Sequence, residues 1–240
     1  IIPIFLVVIV FTLLYAVLKF SKDKFYLLTL CTIFGNTAFF GIPFVTFAFP
    51  SVQSEQIATL SAATIGIAAI SVSIALLELY RLENASKLEG LKHVGKRLVK
   101  NPLIISIFVG ILISVVGVEI PSPFATFLHM IGGTTSAVAV FMLGAFLYGK
   151  KYSNLKLGFG LSLLRIVLLP LVALATLVFF ELPLMHESVI VLMHAMPVAV
   201  ALSVLSERYN FHRETVASLT LVSSVGAIIY LNLWLALLGV

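Results

Sequence analysis

Residues 35–43 read Gly35-Asn36-Thr37-Ala38-Phe39-Phe40-Gly41-Ile42-Pro43, inside an apolar stretch, 25–49, that is long enough to cross a bilayer as a helix. Pro43 removes one helical hydrogen bond and crowds the Phe39 carbonyl four residues back. Gly41, with Gly35, loosens the stretch further. A second such run, His194-Ala195-Met196-Pro197, sits at similar depth in the stretch 187–206, where Pro197 crowds the Met193 carbonyl. Most prolines in membrane spans need no functional explanation, because neighbouring helices satisfy the freed backbone. These two are distinguished by their placement.

Working outward, eight apolar segments can be drawn: 1–18, 25–49, 56–80, 102–118, 124–148, 157–180, 187–206 and 214–239. Apolar residues make up 61% of the chain and charged residues 10%, against about 25% charged in a soluble domain. So few charges cannot cover a soluble fold of this size, and the chain reads as an all-α integral membrane protein. Its one cysteine, Cys31, excludes an internal disulfide and a paired-cysteine metal site. The net charge of +5 does not point to nucleic acid, because the charges are segregated. Fourteen of the fifteen Lys and Arg residues fall in Lys19–Lys24, Arg81–Lys100, Lys150–Lys156 and Arg208–Arg213, while the loops near 50–55, 118–123 and 181–186 have none. The positive-inside rule then puts the basic loops in the cytoplasm and both chain ends outside, in a cell (plasma) membrane.

The loop 81–101, basic and without apparent apolar periodicity, reads as a cytoplasmic linker; anionic lipid headgroups would explain its charge. It divides the chain into a first repeat, 1–80, and a second, 102–240. Each broken span is next to last in its half, and the two run in opposite directions. That is the pattern of an inverted-topology repeat, whose broken helices place half-helix ends at a midplane binding site. Positive N-terminal ends there favour an anionic group. Three spans precede the linker and five follow it, so the first half is expected to lack two helices, eight being present of ten.

Few polar groups lie at depth. Arg165 is eight residues beyond Leu157, roughly 12 Å along its helix. It reads either as a snorkelling or carbonyl-bonded structural arginine or as an anion-attracting residue. His194 reads as a proton-linked group or a hydrogen-bonded structural histidine. Asn36 and Thr37 are substrate contacts or donors that repair the helix. Glu78 is expected in solvent at a span end, and Glu207-Arg208-Tyr209-Asn210 form a polar helix end. Gly132-Gly133 and Gly144 suggest close helix packing. The histidines show no zinc-ligand spacing. A nucleophile elbow, a P-loop and an H-E-x-x-H motif are all absent, so no enzyme, cofactor or metal is expected.

Five stretches in register then become informative. Asn36-Thr37 with Gly41-Ile42-Pro43 resembles the fourth-helix motif of the auxin efflux carrier family, which includes plant PIN-type exporters and bacterial malonate or organic-acid carriers. Lys100-Asn101-Pro102 with Gly110 resembles the start of that family's sixth helix, Met142-Leu143-Gly144 its seventh, and Arg165 with Pro170 its eighth. Ala195-Met196-Pro197 followed by Glu207-Arg208-Tyr209-Asn210 is similar to its ninth. The resemblance implies two inverted five-helix repeats, a fold shared with bile-acid/sodium symporters. In it two proline-broken helices cross, and an asparagine, here Asn36, holds a substrate carboxylate beside the crossing.

The expected function is therefore secondary transport of a small organic anion by elevator-like alternating access. Asn36, Thr37, Gly41, Pro43, Met196 and Pro197 are the candidate substrate-binding residues, with His194 and Arg165 for coupling or anion attraction. The alternatives are a sodium-coupled bile-acid-type symporter, for which the crossing segments offer few oxygens, and a non-transporting membrane scaffold or partner subunit. Expected partners are the organic anion and membrane lipids, with a homodimer as an open option and no nucleic acid.

Overall fold

The computed structural model describes residues 1–81, 87–152 and 154–240. Among the described residues the ordered backbone is helical, apart from one antiparallel bridge between Gly35 and Val198. The helices are α1 (Ile2–Leu18), α2 (Lys22–Ile33), α3 (Ile42–Ala48), α4 (Val52–Arg81), α5 (Lys87–Val99), α6 (Pro102–Val116), α7 (Ser122–Leu147), α8 (Leu155–Leu163), α9 (Leu169–Leu177), α10 (Leu184–Ala195), α11 (Val200–Tyr209) and α12 (Arg213–Leu237). Two π-helical turns, Thr37–Gly41 and Leu164–Leu168, lead into α3 and join α8 to α9.

Local chemistry sets many of the ends. Ser21 caps α2 by accepting from the Lys24 amide at 3.3 Å, and Asn154 caps α8 by accepting from the Leu157 amide at 2.9 Å. Prolines stand at the free starts of α1 and α7, where a missing N–H is tolerated, whereas Pro43 and Pro170 follow directly on the π-helical turns. Asn210 closes α11 in the left-handed conformation, φ 53°.

Four helical stretches are long and apolar enough to cross a membrane: Val52–Arg81, Ser122–Leu147, Leu155–Leu177 and Arg213–Leu237. They match four of the eight expected spans. The segments 1–18 and 102–118 form the shorter apolar helices α1 and α6, while 25–49 and 187–206 are built as pairs of half-helices. The linker differs from expectation. Its residues 82–86 lie outside the described residues, but Lys87–Val99 is a helix packed on α4. Leu88, Leu91, Val94 and Leu98 recur at helical spacing, a short amphipathic pattern hidden among the charges.

The core gathers around α2, α4, α10 and α11, with a second cluster in which Trp234 packs with Leu192, Met196 and Leu231. α8 packs closely on α12: a Cβ added at Gly158 would stand 3.1 Å from the Leu219 nitrogen. Gly132, Gly133 and Gly144 do not act this way. A Cβ at any of them meets open space, because α7 stands at the periphery with most of its apolar side chains exposed. In a bilayer such faces meet acyl chains, which explains why exposed Phe127, Phe141, Ile228 and Phe47 are tolerated.

The polar loops sort by end. His212 Nε2 lies 2.8 Å from Asp23, Lys150 donates to Glu207 at 2.7 Å, and Arg97 pairs with Glu78 at 3.2 Å, so the basic segments share one end of the bundle. At the other end Gln53 and His186 hydrogen-bond at 2.9 Å. Glu78 is not solvated as expected: it is 2% exposed and accepts from the Tyr209 hydroxyl at 2.6 Å as well as pairing with Arg97. Lys150 also holds the Glu207 carboxyl below the usual carboxylate range.

Pro170 leaves the Ile166 carbonyl without its helical donor, and the Trp234 indole N–H supplies one at 2.8 Å. Trp234→Phe keeps most of the ring volume and strands that carbonyl. It is expected to lower the thermal midpoint by about 3–6 °C. An unchanged midpoint would mean that another donor reaches Ile166.

Candidate functional site

The two interrupted segments meet. α2 ends at Ile33, and Phe34 leaves the helical region at φ −93°, ψ 84°. α10 ends at Ala195, and Met196 is extended at φ −56°, ψ 146°, as expected of a residue that precedes proline. The freed strands run antiparallel: the Asn36 amide donates to the Pro197 carbonyl at 2.7 Å, and the Ala199 amide donates to the Phe34 carbonyl at 3.0 Å. The Val198 amide donates to Ser223 Oγ of α12 at 3.2 Å. Backbone groups that a broken helix would orphan are thus paired across the two breaks.

The first break is not where the prolines and glycines suggest. The chain leaves the helix at Phe34–Asn36 and re-enters it through the π-helical turn, which carries it past Pro43. The Asn36 carbonyl accepts from both Phe40, at 3.3 Å, and Gly41, at 3.1 Å. Gly41 is itself helical, φ −69°, so it does not loosen the backbone. Its bareness clears space for α10, since a Cβ there would lie 2.9 Å from Met193 Sδ and 3.0 Å from Met196 Cγ.

Arg165, in the second π-helical turn, is 0% exposed and reaches into the pair of breaks. Nε donates to the Met196 carbonyl at 2.9 Å, and Nη1 donates to the Thr32 and Ile33 carbonyls at 3.0 and 3.2 Å. Those carbonyls end α2 and follow α10, where helix dipoles are negative. Of the two readings of Arg165, the carbonyl-bonded structural arginine describes these contacts. Nη2 has no partner among the described residues and lies against Gly35, whose added Cβ would be 1.7 Å from it. Gly35 is therefore glycine for room.

His194 is buried, and its Nδ1 donates to the Ile190 carbonyl at 2.8 Å, which leaves Nε2 unpartnered among the described residues. Asn36 and Thr37 are 6% and 3% exposed. Neither side chain forms a hydrogen bond among the described residues, so neither repairs the broken helix. Met196 and Pro197 are buried within the pairing, and Pro43 is half-buried beside a cavity. The structure thus brings every candidate residue to one region, in unequal roles.

Two cavities flank Phe39. One, of about 480 Å³, is lined by Phe39, Thr134, Thr135, Met142, Val200 and Ala201, and so opens on the N-terminal end of α11. The other, of about 430 Å³, is lined by Phe39, Phe40, Pro43 and Phe44 with Ala137 and Val140 of α7. A larger hollow, about 770 Å³, lies away from the breaks, between α4 and α6. Thr134 and Thr135, whose hydroxyls donate to the Ile131 carbonyl, line the first cavity and were not among the expected residues; their one signal is the polar run Thr134-Thr135-Ser136 in the middle of an apolar span. No group of three His, Cys, Asp or Glu that could hold a metal occurs among the described residues.

Comparison with known proteins adds a relationship to this geometry. A family model described as "Membrane transport protein" matches residues 1–235. A protein of Escherichia coli strain K12 described as an uncharacterized transporter, YfdV, is 26% identical over 224 residues, which covers 90% of this chain and 70% of the relative. Its counterpart in Shigella flexneri matches to the same extent.

Proposed function

Because the chain belongs to this family of membrane transport proteins, the auxin efflux carriers, we propose that it is a secondary carrier of a small organic anion, such as a carboxylate, working by elevator-like alternating access at the paired helix breaks. One observation carries the reading: a single buried cation serves the C-terminal ends at both breaks, while the N-terminal end of α11 opens on a cavity of about 480 Å³. A negatively charged ligand is drawn to such an uncompensated end. Asn36 and Thr37 stand at the start of the other N-terminal end with their side-chain polar groups unspent. They are the substrate contacts in this reading, with Met196 and Pro197 shaping the opposite side.

The antiparallel bridge between Gly35 and Val198 supports two repeats of opposite direction, 1–80 and 102–240. The gathering of basic segments at one end supports a plasma-membrane orientation with that end in the cytoplasm. Energy coupling has two readings: proton movement through His194, or electrogenic movement of the anion. An inside-negative potential contributes about 2.3 kcal/mol per charge per 100 mV and by itself favours export. A transport rate independent of pH would remove His194 from the mechanism.

Uptake of radiolabelled mono- and dicarboxylates into proteoliposomes tests the proposal. Asn36→Ala is expected to reduce transport at least tenfold, with little change in melting temperature, because its side chain makes no hydrogen bond among the described residues. Unaltered transport by Asn36→Ala combined with Pro43→Ala would sink the site. Transport that requires sodium would favour the bile-acid-type symporter instead.

A further inference from the structure

A second polar hollow, of about 490 Å³, lies at the basic end of the bundle, apart from the paired breaks. Its walls come from four elements: Lys96 and Arg97 of α5, Lys100 and Pro102 at the start of α6, Ile74 of α4, and Arg208 and Tyr209 of α11. Its volume suits a small ligand. One buried carboxylate serves it and is fully committed. Glu78 pairs with Arg97 at 3.2 Å and accepts from the Tyr209 hydroxyl at 2.6 Å, so it fixes two wall residues in place. Lys96, Lys100 and Arg208 form no ion pair among the described residues. Three uncompensated cations thus line one hollow, together with the positive N-terminal end of α6.

We propose that this hollow binds a phosphate group, carried either by an anionic lipid at the headgroup level or by a free phosphate in solution. Planar guanidinium and compact ammonium donors around one space suit a phosphate oxygen cluster, and a helix N-terminus adds backbone donors of the same polarity. The inference narrows the general attraction of a basic loop for anionic lipids to one site that needs Arg208, which lies outside that loop. It also has a mechanical meaning. α11 is one half of a broken helix, and α5 lies on the linker between the halves, so an occupant would tie the two together. The site does not depend on the proposed transport reaction.

The test uses the full chain in a neutral detergent, with thermal unfolding as the readout. One arm adds phosphatidylglycerol mixed with phosphatidylcholine, against phosphatidylcholine alone; the other adds inorganic phosphate against chloride at equal ionic strength. A rise of about 3–5 °C is expected at ten times the dissociation constant. A rise with the lipid alone assigns a lipid headgroup; a rise with inorganic phosphate assigns a free phosphate. The triple variant Lys96→Gln, Lys100→Gln, Arg208→Gln is expected to lose the rise. Lys19→Gln, Lys22→Gln, Lys24→Gln, which removes equal charge elsewhere at that end, is expected to keep it. No rise in either arm, or equal loss in both variants, would overturn the site. If the first triple variant does not fold, Lys100→Gln alone, with retained phospholipid counted by native mass spectrometry, decides in its place: no loss of bound phospholipid or phosphate relative to the unaltered chain would overturn it.

Discussion

Arg165→Met is expected to lower the thermal midpoint of the purified protein by about 6–20 °C, the largest effect of any single exchange considered. The guanidinium donates to three carbonyls, those of Met196, Thr32 and Ile33, of which only the last also accepts from a backbone amide, that of Gly35 at 3.2 Å, among the described residues. Each hydrogen bond to a charged donor contributes about 1.5–3 kcal/mol, and a stranded buried carbonyl costs a further penalty. Against this stands the desolvation of a buried charge, which an apolar residue of similar length would relieve. That relief leaves the carbonyls where they are. A net loss of about 3–5 kcal/mol follows, and in a chain of this size each kcal/mol moves the midpoint by about 2–4 °C. Arg165→Lys keeps the charge but presents a compact ammonium in place of the fork, so it is expected to fall between the two. A methionine variant that melts within 2 °C of the unaltered chain would show that the guanidinium does not hold the breaks together.

Gly35→Ala is expected to destabilise nearly as much, with the opposite sign to the usual gain when alanine replaces a glycine at a tolerant backbone position. The added Cβ would lie 1.7 Å from Arg165 Nη2 and 2.2 Å from Cζ. The tip of an arginine can ordinarily swing aside. Here it is pinned by its three acceptors, so making room forfeits those bonds. The two exchanges should therefore not add. In the Arg165→Met background, Gly35→Ala should cost little, giving a coupling of about 3 kcal/mol in a double-mutant cycle. Additive losses would place the strain elsewhere, in the bridge between Gly35 and Val198.

Much of this arrangement is legible in the sequence. Apolar runs and alternating basic loops mark the spans, and the two proline-bearing runs mark the elements that meet. What is not legible depends on partners far away in the chain. Pro43 looks like the break, yet a π-helical turn absorbs it, and the chain opens at Phe34–Asn36 because Arg165 and the Pro197 segment receive its backbone there. Gly35 and Gly41 read as flexibility, though each is cut to the shape of a neighbour: a guanidinium in one case, two methionines in the other. Glu78 reads as a solvated span end, and only the fold brings Tyr209 and Arg97 to it. The helix within the linker is masked in the sequence because its apolar residues are few and set among lysines.

The cross-pairing of the breaks also imposes an order in time. Arg165 lies 133 residues beyond Thr32, and the segment that receives the Asn36 amide comes later still. During synthesis α2 and the turn after it therefore enter the membrane with exposed carbonyls and amides that nothing yet made can satisfy. Non-local closures of this kind are slow to form. The last half-helix, α11, thus completes a structure begun before most of the chain existed. A nascent chain stalled before Arg165 should hold its first break open and exchange the amide hydrogens there faster than the finished protein does.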